Sequence, residues 1–168
     1  MTYYDRKISI HSDGTPVFET KEDSLLEAKT ANILEALWNC SLAKLPRLSP
    51  IDWLAMRDER LMGFVELKCR SHPSSRYRTV FLNIRKWESL TSIAYAANVK
   101  AIFVVRFLDS IFWKHLNRFE APGPVKMAGC TRIVKSSTDM EPVFDVKLKD
   151  MKCLKRFISQ RDHEQTSS

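Results

Sequence analysis

Residues 50–69, PIDWLAMRDERLMGFVELKC, decide the fold of this chain. Two largely apolar segments, 51–56 and 61–69, are separated by the charged residues 57–60. Short apolar segments that flank a polar turn are typical of paired strands. We therefore predict an antiparallel hairpin in which the first segment lies beside the second.

Three charged side chains interrupt this hairpin: Asp52, Glu66 and Lys68. Alternate residues of a strand point to the same face, so Glu66 and Lys68 share a face about 6.5 Å apart, and Asp52 on the neighbouring strand can approach Glu66. Buried charges are costly unless they are paired, and Mg2+ binds carboxylate oxygens together with waters and phosphates. The pattern indicates a divalent-metal site. A surface ion pair between Glu66 and Lys68, with Asp52 capping a loop, is equally compatible with the spacing.

The rest of the chain predicts two helices and several strands around this hairpin. We expect helices at 21–39 and 84–98 and a short basic helix at 151–158. Strand segments are predicted at 7–19 (a hairpin), 80–83, 101–107, 111–116, 131–134 and 143–148. This order predicts one α/β (mixed α+β) domain over 1–158, with a central mixed β-sheet flanked by helices. Residues 159–168 form a polar C-terminal tail.

Composition restricts the cell compartment and the kind of partner. The chain has 168 residues and a net charge of +7, an excess that favours polyanionic partners. Its four cysteines include no C-x-x-C pair, so free thiols in a reducing compartment are expected. The longest apolar run, 101–105, is far shorter than the roughly 20 residues of a membrane-spanning helix. We expect a cytoplasmic protein, or one in the host-cell cytoplasm if it is encoded by a virus.

The hairpin resembles the signature of the PD-(D/E)XK nuclease superfamily. Asp52, the thirteen residues that follow it and Glu66-Leu67-Lys68 carry the resemblance, which extends from about residue 24 to about residue 116. It implies a restriction-endonuclease-like core with the order αβββαβ. It also implies that Asp52 and Glu66 hold Mg2+ or Mn2+ and that Lys68 acts on the attacking water. Pro50 stands two residues before the aspartate, whereas the signature places the proline directly before it.

Two further residues resemble those of the small branch that contains Holliday-junction resolvases and phage-type nucleases. In that branch a glutamate on the first helix precedes the aspartate by about two dozen residues, and Glu27 matches this position, with Glu22 and Glu35 as rivals on the same predicted helix. Members also often carry a Lys or Gln at the start of the second core helix, and Lys86 matches it. The resemblance implies that Glu27 is a third metal ligand and that Lys86 assists catalysis.

The segment 69–86 contains five basic residues and no acidic one, and it leaves the strand of Glu66 and Lys68 directly. Arginines at this place can bind phosphates, and Tyr77 can stack on a base. A solvated basic loop without a ligand is the other interpretation. The predicted nucleic-acid-binding residues are Arg70, Arg76, Arg78 and Arg85. A second basic cluster at 147–156 is interpreted as one face of the predicted C-terminal helix.

These expectations together predict a metal-dependent nuclease that hydrolyses phosphodiester bonds of DNA, with RNA as the other possible substrate. Endonuclease action and a homodimer are expected from the small relatives. The first alternative is a non-catalytic nucleic-acid-binding module on a nuclease fold. The second is a structural protein whose basic faces bind an acidic partner.

Overall fold

The computed structural model describes residues 9–10, 16–17, 21–46, 49–129 and 140–157. Within these residues the chain forms two α-helices, α1 (Lys21–Trp38) and α2 (Ile84–Ala96). The predicted helices at 21–39 and 84–98 are therefore confirmed, each ending slightly earlier than expected. Neither helix is long and apolar enough to cross a membrane.

Three β-sheets contain the strands of the described residues. Ser9–Ile10 (β1) and Pro16–Val17 (β2) form a small antiparallel pair, as predicted for 7–19. The central six-stranded sheet consists of β3 (Ser41–Lys44), β4 (Trp53–Arg57), β5 (Arg60–Cys69), β7 (Lys100–Arg106), β8 (Ser110–Leu116) and β11 (Lys152–Arg156). The third sheet consists of β6 (Thr79–Asn83), β9 (Val125–Gly129) and β10 (Met140–Lys147).

The central sheet is mixed and has the order β11-β8-β7-β5-β4-β3. Strands β5 and β7 run parallel, and the connection between them contains α2. The other neighbouring strands pair antiparallel. Helix, three strands, helix and strand follow one another as α1, β3–β5, α2 and β7, so the predicted fold class and the αβββαβ order are confirmed.

Both faces of the central sheet are covered, which accounts for the apolar character of β5 and β7. On one face, α1 contributes Ala31 and Leu34 to a core with Val65 and Val104. On the other face, α2 and the smaller sheet form a core that contains Leu90, Phe103 and Phe144 among its buried side chains. Neighbouring residues of β7 alternate between these two cores, as strand geometry requires.

The predicted β4–β5 hairpin is confirmed with a tight turn, although β4 begins at Trp53, so Asp52 precedes the strand on which it was predicted. Asp58 (φ 50°) and Glu59 (φ 61°) both adopt left-handed backbone conformations between Arg57 and Arg60, which pair with each other. Two left-handed residues in a two-residue loop give the turn a twist that suits antiparallel strands. Beyond the turn, the register shifts by one residue because Met62 is an extra residue of β5 between paired positions.

One predicted helix is wrong, two strands were not predicted, and one predicted strand lies outside the described residues. The predicted basic helix at 151–158 is wrong: Leu148–Asp150 is a short 3-10 helix, and β11 pairs with the edge of β8. The backbone hydrogen bonds that this edge offers outweigh the helix-forming tendency that the spacing of the basic residues suggested. Strands β3 and β9 were not predicted, and the predicted strand at 131–134 lies outside the described residues.

Candidate active site

Asp52 and Glu66 face each other at the open end of the β4–β5 hairpin. Trp53, the first residue of β4, pairs with Val65, so Asp52, which directly precedes the strand, lies beside the next residue of β5, Glu66. The two carboxyl groups are close enough for Asp52 to raise the pKa of Glu66, through hydrogen bonding and through its charge. Glu66 is 4% exposed, and its face of the sheet is the one covered by α2. Two acidic groups thus meet in a largely buried position.

Lys86 approaches both carboxyl groups from α2. Its Nζ lies 2.5 Å from Asp52 Oδ1 and 3.5 Å from Glu66 Oε2. Burial alone would lower the pKa of Lys86, but the contacts with Glu66 and Asp52 outweigh it and raise that pKa above its usual value. Lys86 is therefore a charged ammonium that lies against both acids.

The first turn of α2 is fixed by a cap, which holds Lys86 in this position. The Asn83 side-chain oxygen accepts hydrogen bonds from the backbone N–H groups of Arg85 (2.8 Å) and Lys86 (3.3 Å). Asparagine is among the preferred residues at this position because its side chain satisfies amides that have no partner inside the helix. The Asn83 amide also donates to Glu141 of β10, so the cap joins α2 to the smaller sheet.

Lys68 is the second amine of the site. Its Nζ lies 4.0 Å from Glu66 Oε1. Burial lowers the pKa of Lys68 and the charge of Glu66 opposes this, while Arg70 and Lys86 lower it further. A lysine whose pKa is lowered is more easily deprotonated, so Lys68 can exchange a proton with a neighbouring water.

The ionisation of Glu66 is perturbed most strongly. Burial, the hydrogen bond with Asp52 and the charge of Asp52 raise its pKa from 4.5 to about 8, although Lys68 and Lys86 counteract the shift. Two carboxylates in contact resist simultaneous ionisation. A divalent cation at this position would relieve that repulsion, so the pair has the character of a cation-binding site.

Glu27 lies in a neighbouring cleft and has different partners. Its carboxylate accepts a hydrogen bond from Trp53 Nε1 (2.8 Å) and forms an ion pair with Lys44 Nζ (2.6 Å). Among the described residues there is no group of three or more His, Cys, Asp or Glu side chains arranged to hold a metal. Glu27 therefore does not form a three-carboxylate cluster with Asp52 and Glu66 in this structure.

The rival glutamates on α1 are placed apart from the acidic pair. Glu35 accepts a hydrogen bond from the backbone N–H of Leu42 (2.7 Å), which ties α1 to β3. Glu22 lies in the first turn of α1 and is exposed. Of the three glutamates considered, Glu27 alone lines a cleft together with Asp52 among the described residues.

Two open clefts adjoin the acidic pair. The first, of about 440 Å3, is lined by Glu66, Lys68 and Lys86, with Asn83, Arg85 and Glu141 among its other residues. The second, of about 410 Å3, is lined by Asp52 and Glu27, with Asp23, Lys44 and Cys69 among its other residues. Because Lys86 of the first cleft contacts Asp52 of the second, the clefts meet at the acidic pair. Each of the two carboxyl groups thus lines a cleft that opens to solvent.

The four predicted phosphate-binding arginines do not form one group. Arg85 lines the cleft of Glu66 and Lys68. Arg70 follows β5 directly, and burial lowers its pKa. Arg76 and Arg78 are exposed on the loop before β6, and Arg78 lines a separate cleft.

Sequence reasoning missed two residues of this site, Asn83 and Glu141. An asparagine directly before a helical segment is a recognised start signal, so Asn83 could have been identified as the cap. Glu141 is separated from Asn83 by 58 residues. No local pattern in the sequence indicates that contact.

Comparisons with known proteins identify the family of this chain. A family model described as "Phage putative PDDEXK endonuclease" matches residues 14–154. One similar solved structure is a Holliday junction resolvase from Archaeoglobus fulgidus, which is 16% identical over 50% of this chain and 73% of that chain, with a TM-score of 0.39. No curated protein matches. The family match spans most of the sequence, and the chain therefore belongs to the PDDEXK endonuclease family of phages.

Proposed function

We propose that this nuclease-family protein is a Mg2+- or Mn2+-dependent endonuclease that hydrolyses phosphodiester bonds of DNA. The observation that carries the proposal is that the Asp52 and Glu66 carboxyl groups lie 2.5 and 3.5 Å from one amine, Lys86 Nζ, while a second amine, Lys68 Nζ, lies 4.0 Å from Glu66. A nuclease needs negative groups that hold a cation and an amine that can act on water, and this position supplies both.

The donor set fits a hard divalent cation. Mg2+ is commonly held by one or two carboxylates, and waters and substrate phosphates complete its octahedral coordination. Asp52 and Glu66 would supply the carboxylate oxygens. The pKa of Glu66 is raised first by burial and then by its hydrogen bonding with Asp52 and the charge of Asp52, and a cation would offset that charge. When bound, the ion would supply Lewis-acid stabilisation of charge on the phosphate. PDDEXK nucleases generally use divalent metals, which agrees with this assignment.

Lys68 is proposed to orient the attacking water and to accept its proton. The water oxygen forms a bond to phosphorus as the bond to the leaving ester oxygen breaks. The water proton passes to Lys68 Nζ, and the leaving oxygen takes a proton from solvent to form the alcohol. This requires some neutral amine, which the lowered pKa of Lys68 provides. The protonated amine then offsets the negative charge that develops on the phosphate oxygens.

Lys86, Glu27 and the arginines are proposed to have supporting roles. Lys86 balances the charge of Asp52 and Glu66 and holds both side chains in place. Glu27 would contribute to the metal only after it releases Lys44, so we assign it the task of positioning Trp53, next to Asp52. Arg70 and Arg85 are placed to bind phosphates of the strand that is cut.

The direct test is to incubate the purified protein with supercoiled plasmid, linear duplex, a four-way junction and an RNA of matching sequence, with and without Mn2+ or Mg2+. We expect nicking of closed-circular DNA that requires the metal, because only internal cleavage relaxes it. Lys68→Ala should lower the rate of cleavage by at least about 100-fold, whereas Lys29→Ala, an exposed lysine of α1, should not change it.

Two results would contradict the proposal. If wild-type protein binds DNA with a steep dependence on salt but never nicks it with either metal, the chain is a non-catalytic binding module on a nuclease fold. If it cleaves the RNA and leaves every DNA substrate intact, the DNA assignment is wrong.

A further inference from the structure

A third cleft lies outside the carboxylate site, between the loop that precedes β6 and the C-terminal end of β10. It has a volume of about 760 Å3 and an open mouth. Its walls are largely apolar, with Phe112 and Leu148 beside the exposed ring of Tyr77. We name it the Tyr77 cleft; its described lining residues are Ser74, Ser75, Tyr77, Arg78, Thr79, Phe112, Lys147, Leu148, Lys149 and Arg156.

Hydrogen bonds fix the walls of the Tyr77 cleft in place. The backbone N–H of Leu148 donates to the carbonyl oxygen of Arg78 at 2.9 Å, which joins the two sides. The backbone N–H and the hydroxyl of Ser74 both donate to the Asp109 carboxylate, at 2.8 and 2.9 Å. The cleft is thus formed in advance, so a ligand need not order the loop when it binds.

The charge of the Tyr77 cleft is entirely positive. Arg78, Lys147, Lys149 and Arg156 line it, and none of its described lining residues is acidic. The nearby carboxylate of Asp109 already accepts hydrogen bonds from Ser74 and Ser110. Cationic side chains together with apolar walls suit a ligand that carries both negative groups and flat apolar rings.

Tyr77 offers an aromatic surface at the mouth of this cleft. Its side chain is 53% exposed. The ring is supported by an edge contact with His72, at 5.0 Å between ring centroids, and the guanidinium of Arg76 lies 5.4 Å from its centroid. An exposed aromatic ring with cations around it is the arrangement on which unpaired bases stack.

The Tyr77 cleft and the carboxylate site lie at opposite ends of β6. Thr79 lines the cleft, and Asn83 lines the site of Glu66 and Lys86. Residues 79, 81 and 83 point to the same face because they alternate along the strand, and four residues of strand span about 13 Å. A duplex strand rises about 3.4 Å per nucleotide and an unpaired strand can extend further, so no more than about four nucleotides are needed to cover this distance. One substrate strand can therefore reach both places.

We propose that the Tyr77 cleft binds an unpaired segment of the nucleic-acid substrate, with a base against Tyr77 and its phosphates against the cations of the rim. The proposal rests on the proposed function, since it extends the same substrate strand away from the carboxylate pair. A fully paired duplex presents its phosphates but keeps its bases stacked, so its bases would not contact Tyr77 or the apolar walls. An acidic peptide would match the charges but has no need of the aromatic surface.

The test compares two labelled DNAs by fluorescence anisotropy in EDTA, where no cleavage can occur. One is a blunt duplex, and the other is the same duplex with a single-stranded extension. Tyr77→Ala should weaken binding of the extended DNA by about 5- to 150-fold, the range for loss of one stacked base, and leave the blunt duplex within twofold. Tyr77→Phe should bind as wild type does, because the ring is kept. Tyr95→Ala is the matched control, since Tyr95 is 60% exposed on α2.

A double variant that removes two positive charges tests the cationic residues of the Tyr77 cleft separately. Arg78→Ala with Lys149→Ala should reduce the slope of log affinity against log salt by about 1.4 for the extended DNA, because each lost contact with a single strand is worth about 0.7. Lys29→Ala with Arg60→Ala removes the same charge from exposed positions outside the cleft and should leave the slope unchanged.

Several results would overturn the inference. Tyr77→Ala could bind the extended DNA as wild type does, or it could weaken the blunt duplex equally, which would make the cleft a duplex contact. Displacement of the extended DNA from wild type by polyglutamate more readily than by a single-stranded oligonucleotide would indicate an acidic protein partner. Failure of wild type to nick DNA with Mn2+ would refute the proposed nuclease activity and leave these binding results to stand or fall separately.

Discussion

Replacing Glu66 by Gln should change how the stability of the protein depends on pH. The Glu66 carboxyl group is 4% exposed, and its pKa is raised from 4.5 to about 8 in the folded protein. Between these two values the folded protein retains a proton that the unfolded chain has released. The free energy of unfolding therefore falls as pH rises through this window. The protonated carboxyl group contributes its full stabilisation to the folded protein below pH 4.5, and this stabilisation is lost as pH rises through about 8.

The size of the effect follows from the shift. One pKa unit corresponds to about 1.4 kcal/mol, and integration between pH 5 and pH 8.5 gives a loss of about 4 kcal/mol for wild type relative to a variant without the carboxyl group. Glutamine keeps the shape and the hydrogen-bonding capacity of the protonated acid but cannot ionise. The Glu66→Gln protein should therefore become more stable relative to wild type as pH increases.

The measurement is urea unfolding followed by circular dichroism at pH 5 and pH 8.5, in EDTA so that no metal is bound. Glu88→Gln, an exposed position on α2, is the matched control and should show the same pH dependence as wild type. If the free energy of unfolding changed by the same amount between the two pH values in wild type and in Glu66→Gln, the raised pKa would be refuted. Greater loss of stability in Glu66→Gln at pH 8.5 would show that the ionised carboxylate is stabilising, with its pKa lowered and not raised.

Three further predictions concern the site and the hairpin. Lys68→Ala should lower the cleavage rate by about 100- to 10,000-fold, the range for a lost general base, while anisotropy shows DNA binding nearly unchanged; wild-type cleavage by this variant would remove Lys68 from the reaction. Asp52→Asn should weaken Mn2+ binding, measured by calorimetry, by more than about tenfold. Mutation of a residue that only supports a metal ligand already lowers metal affinity by about that factor. An unaltered isotherm would exclude Asp52 as a ligand. Gly63→Ala should lower the free energy of unfolding by about 1–3 kcal/mol, because the new Cβ would lie 2.6 Å from the carbonyl oxygen of Lys100. Unchanged thermal unfolding would show that β5 and β7 can move apart without loss of stability.

The sequence predicted the parts of the fold that local patterns determine. Helix α1 has no glycine or proline and repeats apolar residues at helical spacing, and strand β7 is an apolar run that ends at Arg106. Strand β11 was predicted wrongly because its conformation depends on the partner. Lys152 pairs with Trp113 and Arg156 with Ser110, and nothing in residues 151–158 encodes that edge.

The same distinction applies to the site residues. Alternation along β5 was enough to predict that Glu66 and Lys68 share a face, and the resemblance to a nuclease signature indicated Lys86, which the structure places against Asp52 at 2.5 Å. The partners of Glu27 could not be predicted from sequence. Trp53 and Lys44 reach it from two different strands, and only the assembled sheet brings them together.

The carboxylate pair depends on one residue that the sequence pattern does not reveal. Arg57 pairs with Arg60 and Met56 with Leu61, and regular continuation from the turn would place Asp52 opposite Val65, on the face that packs against α1. Met62 is an extra residue in β5, so the register is shifted by one residue from Ala55 to Trp53, and extending it by one more residue places Asp52 next to Glu66. A shift of one residue exchanges the faces of a strand. The bulge at Met62 thus determines that both acids lie beneath Lys86 on the side of α2, where the two clefts give access to them.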